Sequence, residues 1–189
     1  MRSVLRRSST ANLSMTERIR WSSCQRKMPG SSCIAGVSRE NYIYLIESGT
    51  ALMRTTCKPE VCSLSQGKLS VYIHPRKEFC SDARLLFAHN AVISTLIDNI
   101  AGFCAWSTLD AYHRVSTVDL TVNYLQKMPL QKMLVNATVV NKTGNLIVVD
   151  VLCYDTSRTT KFAICQASFN IYGVKEPLGS VISQFAGSL

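Results

Sequence analysis

One carboxylate, Asp98, stands in the middle of an apolar stretch that runs His89-Asn90-Ala91-Val92-Ile93-Ser94-Thr95-Leu96-Ile97-Asp98-Asn99-Ile100-Ala101-Gly102. A carboxylate held away from bulk water can serve as a general base or as a nucleophile. On a helical plot Ile93, Leu96, Ile97, Ile100, Ala101 and Cys104 share one side, the i, i+3, i+4, i+7 pattern of a packed face. Asp98 falls in line with Ala91, Ser94, Thr95 and Gly102, all small, which leaves room above it for another molecule. Val92, Phe103 and Trp106 are apolar too, so the helix is expected to be buried nearly all round. A charge in such a place costs free energy unless it is paired or used. Burial also pushes a carboxyl pKa upward, toward that of a useful base. The bland reading, a solvated surface aspartate, fits poorly with so apolar a helix.

The elements around it follow from periodicity. The helix is expected from about His89 to Asp110, which at about 1.5 Å per residue is roughly 30 Å. Val115 to Leu125 alternates, with Val118, Leu120, Val122 and Tyr124 on one face and Thr117, Asp119, Thr121 and Asn123 on the other. Leu134 to Asn141 and Leu146 to Tyr154 are valine- and isoleucine-rich and flank the polar turn Lys142-Thr143-Gly144-Asn145. Phe162 to Tyr172 is a further strand. Upstream, Val61 to Ser65 and Leu69 to Ile73 flank Gln66-Gly67-Lys68. One long apolar helix between groups of antiparallel strands predicts an α+β domain with a sheet wrapped round that helix.

These segments carry a resemblance. GKLSVYIHP, HNAVISTLIDNIAG, VSTVDLTVNYLQKMP and VVNKTGNLIVVDVLCYD, in that order from Leu64 to Gly173, resemble the hotdog-fold acyl-CoA thioesterases of the PaaI type, in their thioesterase-superfamily-member branch. The most specific piece is the histidine and small pair leading to Ser-Thr-Leu-x-Asp-Asn, followed by Val-Asp-Leu-x-Val-Asn-Tyr. Where relatives carry His-Gly-Gly this chain has His89-Asn90-Ala91, and the asparagine that often precedes that histidine is missing from Phe79-Cys80-Ser81-Asp82-Ala83. The resemblance implies hydrolysis of fatty acyl-CoA to free acid and CoA, with Asp98 as the catalytic carboxylate. It implies a site shared between subunits of a homodimer or a dimer of dimers. It also places Thr117, with Ser116 beside it, where relatives hold the water with a small hydroxyl.

The chemistry agrees on physical grounds. Thioester hydrolysis needs an activated water or a carboxylate nucleophile, and donors for the developing oxyanion. Backbone N–H groups at the helix start, near Asn90 and Ala91, are unsatisfied by the helix itself, and the positive end of the helix dipole lies there. Asn90 can cap the helix as well as offer its N–H, while His89 reads as a helix-start positioning residue rather than a base. Eight residues of helix span roughly 12 Å, so one helix cannot bring its start and its middle to one carbonyl. Two antiparallel copies can, which predicts a dimer. For the CoA phosphates the candidate cations are Arg114, Lys142, Arg158 and Lys161, among which the residues do not choose. CoA is then part of the substrate, and no separate cofactor is expected.

Charge and cysteines bound the rest. Residues 1–40 hold 8 of the 21 Lys and Arg and 2 of the 12 Asp and Glu, so +6 of the net +9 lies there. The Arg- and Ser-rich start, Met1 to Thr10, has the composition of a mitochondrial presequence. A disordered basic tail is the alternative, and use of Met15 or Met28 as a later start would leave the protein cytoplasmic. The tail lacks the interleaved aromatics of a nucleic-acid binder. No apolar run reaches the roughly 18 residues of a membrane helix. The eight cysteines form no C-x-x-C pair and no zinc spacing, so no metal is implied, and Cys104, Cys153 and Cys165 read as buried. The expected organisation is a basic extension over 1–38, a hotdog domain over 39–173 that opens with an amphipathic helix at 39–56, and a loose tail over 174–189. Two other functions stay open: a non-catalytic hotdog module that binds acyl-CoA or a protein partner, and a dehydratase with a histidine base drawn from His74, His89 and His113.

Overall fold

The computed structural model describes residues 57, 59–81, 84, 86–110 and 112–175, all within the unit formed by 34–189. The expected basic extension, the helix at 39–56 and all but the first two residues of the tail lie outside the described residues.

Among the described residues, six strands and one long helix follow in the order β1 (Glu60–Ser65), β2 (Lys68–Ile73), α1 (Asn90–Trp106), β3 (His113–Tyr124), β4 (Met133–Thr143), β5 (Leu146–Asp155) and β6 (Lys161–Gly173), with a 3-10 turn at Lys77–Phe79. The strands make one sheet in the order β1-β2-β4-β5-β6-β3, every pair antiparallel. This is the expected α+β arrangement, a hotdog sheet wrapped round one helix. The β1–β2 and β4–β5 hairpins close on two residues, Gln66-Gly67 and Gly144-Asn145, and both glycines take the positive φ that such turns require (73° and 57°). The first turn is also pinned to the helix end. The Gly67 N–H donates to Ser107 Oγ at 2.8 Å, and that hydroxyl donates to the Cys104 carbonyl at 2.7 Å.

The core lies between α1 and the concave face of the sheet. Ile93, Leu96, Ile97, Ile100, Ala101 and Cys104 are all 1% exposed or less, as the helical spacing predicts. They meet Leu69, Val71, Met133, Val135, Ile147, Val149, Val151, Cys165, Ala167 and Phe169, the inward residues of β2, β4, β5 and β6. Each large aliphatic side chain buried this way contributes about 1.5–3 kcal/mol.

Three expectations are corrected. The helix ends at Trp106, four residues early, where Ser107, Thr108 and Leu109 bond back to the last carbonyls in a closing turn. Among the described residues it is also not covered all round: Ala91 and Thr95 are exposed and Asp98 and Gly102 half-buried, where no described strand extends the sheet past β3. Finally, β3 does not alternate cleanly. Thr117 pairs with Phe169 and Asp119 with Ser168, so Val118 is an extra residue, a β-bulge. The bulge resets the phase. Thr117 lies opposite the inward Phe169, and Leu120, Val122 and Tyr124 lie opposite the inward Ala167, Cys165 and Ala163. Thr117 therefore shares the helix-facing side with them, and Val118 is left 63% exposed.

Candidate active site

Asp98 sits in the middle of α1, half-buried, on the flank of the helix that faces β3. The Thr117 hydroxyl donates to Asp98 Oδ1 at 2.9 Å. Among the described residues Oδ2 has no hydrogen-bond partner, so one carboxylate oxygen is oriented and the other is left for a water or a substrate atom. The small line read from the sequence surrounds it. Thr95 and Ser94 turn their hydroxyls back to the helix, onto the carbonyls of Ala91 (2.9 Å) and Asn90 (3.1 Å). Asn99 donates to the Thr95 carbonyl at 2.7 Å.

The thiols nearby are poor competitors as nucleophiles. Burial pushes Cys165 up to about 12, and the neighbouring Asp98 carboxylate adds in the same direction. Burial does the same to Cys104 and Cys153, each also raised to about 12. All three stay protonated near neutral pH, and the thiolate is the reactive form.

At the helix start the cap is His89 rather than Asn90, which is the first helical residue. The Ala91 N–H donates to His89 Nδ1 at 3.1 Å, so the Ala91 donor expected to be open is taken by the chain itself. An imidazole that accepts at Nδ1 carries its proton on Nε2. The Asn90 N–H has no partner among the described residues. In the next peptide, Asn90–Ala91, the Tyr124 hydroxyl donates to Asn90 O at 2.9 Å and is in hydrogen-bond contact with Ser94 Oγ. Tyr124 was legible only as an inward strand residue. Its terminal position in Val-Asn-Tyr was the one signal that could have marked it.

The structure brings Asp98 and Thr117 together, and His89, Asn90 and Ala91 together, as two separate groups along one helix. Ser116 points the other way, paired with the exposed Asn170. The four candidate cations divide between the two ends. Arg114 lies over the Trp106 ring at 5.4 Å, and Lys142 donates to the Thr108 carbonyl at 3.0 Å, both at the C-terminal end of α1. A polar cavity of about 590 Å³ opens there, lined by Asp110, His113, Lys142, Asn145, Asn170 and Tyr172 among others. It does not reach Asp98. Arg158, with φ 61°, lies in the β5–β6 turn and Lys161, over the Tyr154 ring at 5.7 Å, opens β6, whose start is joined to the end of β3 through Leu125 N–H to the Phe162 carbonyl at 2.8 Å. That is the end where the helix begins.

Among the described residues no three His, Cys, Asp or Glu side chains are grouped to hold a metal ion, and no helix is long and apolar enough to cross a membrane.

Known proteins bear out the resemblance read from the motifs. The family model for the Thioesterase superfamily matches residues 87–161, from the residues just before α1 to the start of β6. The fold is that of a thioesterase from Haemophilus influenzae (14% identity, 72% of this chain and 90% of that chain, TM-score 0.60). It is also that of the PaaI protein of E. coli from the phenylacetic acid degradation operon (12% identity, 73% and 97%, TM-score 0.60). A Streptococcus mutans protein solved bound to acetyl CoA is similar as well (22% identity, 63% and 92%, TM-score 0.55). No curated protein matches the sequence. Together the family match and the fold support thioester hydrolysis as the class of chemistry.

Proposed function

We propose that this hotdog-fold chain, with the thioesterase-superfamily match across its central helix and following strands, hydrolyses acyl-CoA to a free acid and CoA. The observation that carries the reading is the half-buried Asp98, one oxygen held by Thr117 and the other open. A water bonded to Oδ2 loses its proton to the carboxylate as its oxygen attacks the thioester carbonyl carbon. The C–S bond then breaks, and the proton passes from Asp98 to the departing CoA sulfur. In the nucleophilic variant the carboxylate attacks first and the C–S bond breaks to expel the CoA thiolate; water then cleaves the resulting anhydride, which regenerates Asp98, frees the acid and releases the proton that the thiolate takes up. Either route passes through an oxyanion that needs a donor.

That donor is the Asn90 N–H of a second copy. Within one helix Asn90 and Asp98 stand roughly 12 Å apart, whereas antiparallel copies bring the start of one beside the middle of the other. Two features support self-pairing on this side. β3 is the last strand of the sheet, with its outer edge unpaired among the described residues, and the uncovered stripe of α1 lies next to it. Exposed edge strands invite pairing with another chain.

Charge supports a CoA substrate. Among the described residues, the end of the sheet where the helix starts carries seven Lys and Arg (76, 77, 84, 127, 132, 158 and 161) against Glu60, which pairs with Lys132, Glu78 and Asp155. The other described residues hold four of each, so the net charge of the described residues lies at that end. Arg158 and Lys161 are the two original candidates that lie there, and anionic phosphates are their natural partners. The acetyl CoA bound by the similarly folded Streptococcus mutans protein supports a CoA substrate.

The deciding experiment is CoA release from a panel of acyl-CoAs, wild type beside Asp98→Asn. The variant should retain the fold and lose on the order of 100-fold or more in kcat, the scale of a lost general base. Equal turnover by a folded Asp98→Asn protein would refute the mechanism. Acyl-CoA binding without turnover by the wild type would instead mark a non-catalytic hotdog module.

A further inference from the structure

We infer that Tyr124 is a positioning residue for the oxyanion-binding turn, clamping the Asn90–Ala91 peptide from the carbonyl side. The inference rests on the proposed thioesterase reading and adds a residue to its site. The peptide is held at both edges: its N–H donates to His89 Nδ1 at 3.1 Å, and its carbonyl accepts from the Tyr124 hydroxyl at 2.9 Å and from Ser94 Oγ at 3.1 Å. These bonds come on top of the helical one that a first-turn carbonyl accepts. The Ser94 and Tyr124 hydroxyls also touch each other; with one proton apiece, either both donate to the carbonyl or one donates to the carbonyl and the other to its neighbour, and in each case the tyrosine is held against the turn.

A clamped peptide matters because helix starts fray, and an oxyanion donor works only when held in advance where charge will develop. Locking the plane between Asn90 and Ala91 fixes the backbone on which the neighbouring Asn90 N–H is carried. Tyr124 reaches this turn from β3, the same strand that sends Thr117 to Asp98 seven residues earlier. One edge strand thus orients both halves of the machinery on its own helix. In a shared site the two halves serve different active centres: Thr117 serves the centre built on its own Asp98, and Tyr124 the centre built on the partner's carboxylate.

The test is Tyr124→Phe, which removes one oxygen and keeps the ring. Its kcat on acyl-CoA should fall between about tenfold and 100-fold, short of the 10²–10³ lost with a direct donor, while KM changes less than twofold. Mixing Tyr124→Phe subunits with Asp98→Asn subunits then separates the possible routes. If Tyr124 acts on its own helix start, half of the centres in each hybrid dimer combine an intact start with an intact Asp98. Activity should then exceed the sum of the two parents. If it acts through its own Asp98, every hybrid centre carries a lesion and no gain appears, which overturns the assignment. An unchanged kcat in Tyr124→Phe, with or without a lower Tm, also overturns it. A wild type that turns over no acyl-CoA overturns the thioesterase reading instead.

Discussion

The Thr117 hydroxyl donates to Asp98 Oδ1 at 2.9 Å, and it can do so because Val118 is an extra residue in β3. Without the bulge, simple alternation would put Thr117 on the face opposite Leu120, Val122 and Tyr124, away from α1. A single inserted residue thus turns a strand hydroxyl into the partner of a buried-helix carboxylate. Bulges beside active sites commonly re-aim a side chain in this way.

Thr117→Val keeps the β-branched shape and removes the donor. It should lower kcat on the order of tenfold with little change in melting temperature, while Thr117→Ser stays near wild type. Steady-state kinetics on the two variants check this. A valine variant as active as wild type would show that the hydroxyl does not orient Asp98.

The bulge leaves Val118 exposed on the unpaired edge. Val118→Lys places a charge where a second copy would pair, a device by which edge strands avoid association. Sedimentation should then show a shift from dimer toward monomer, with loss of most thioesterase activity because each centre needs two chains. Full activity in a demonstrated Val118→Lys monomer would contradict the shared site.

Gly102 lies one turn beyond Asp98 on the same line of the helix. A Cβ there would sit 3.5 Å from the Phe169 ring, an ordinary contact, and no positive φ requires glycine. Gly102→Ala should therefore stabilise the fold by roughly 0.5–1 kcal/mol through helix propensity and raise Tm by a few degrees. The methyl group also narrows the space beside Asp98, so kcat/KM for the longest acyl chains should fall. A thermal melt and a chain-length panel test the two effects separately.

Asp155 organises the β5–β6 turn that carries Arg158 and leads into Lys161. Its carboxyl is held down to about 2, chiefly by the Thr159 hydroxyl, with help from the Thr160 N–H and Ser157. A depressed carboxyl stabilises the fold fully above its unfolded value of about 3.9 and loses that contribution as pH falls through the folded value. The stability gap between wild type and Asp155→Asn should thus be constant above about pH 5 and close between about pH 4 and 2. Urea midpoints across that range measure it. A gap that persists at pH 2 would assign the turn's stability to something other than the carboxylate. Asp155 is partly exposed, so screening by salt should shrink the gap.

Much of this molecule was legible in the order of its residues. The stripe from Ile93 to Cys104, the odd carboxylate at Asp98 and the glycine turns at Gly67 and Gly144 are local patterns. Each is set by the 3.6-residue period of a helix or by the φ a turn demands, and each needs no knowledge of what lies across the sheet. The order β1-β2-β4-β5-β6-β3 is of another kind, since antiparallel neighbours are chosen by which faces pack together. The same holds for the bulge at Val118, which exists only relative to Phe169 and Ser168 on β6. Simple alternation along β3 therefore misplaces Thr117. The capture of the Ala91 N–H by His89, and the reach of Tyr124 across to Asn90, likewise join groups whose distance is fixed by packing rather than spacing. Local periodicity marked the carboxylate, and the pairing of β3 with β6 decided which hydroxyls hold it and its helix in place.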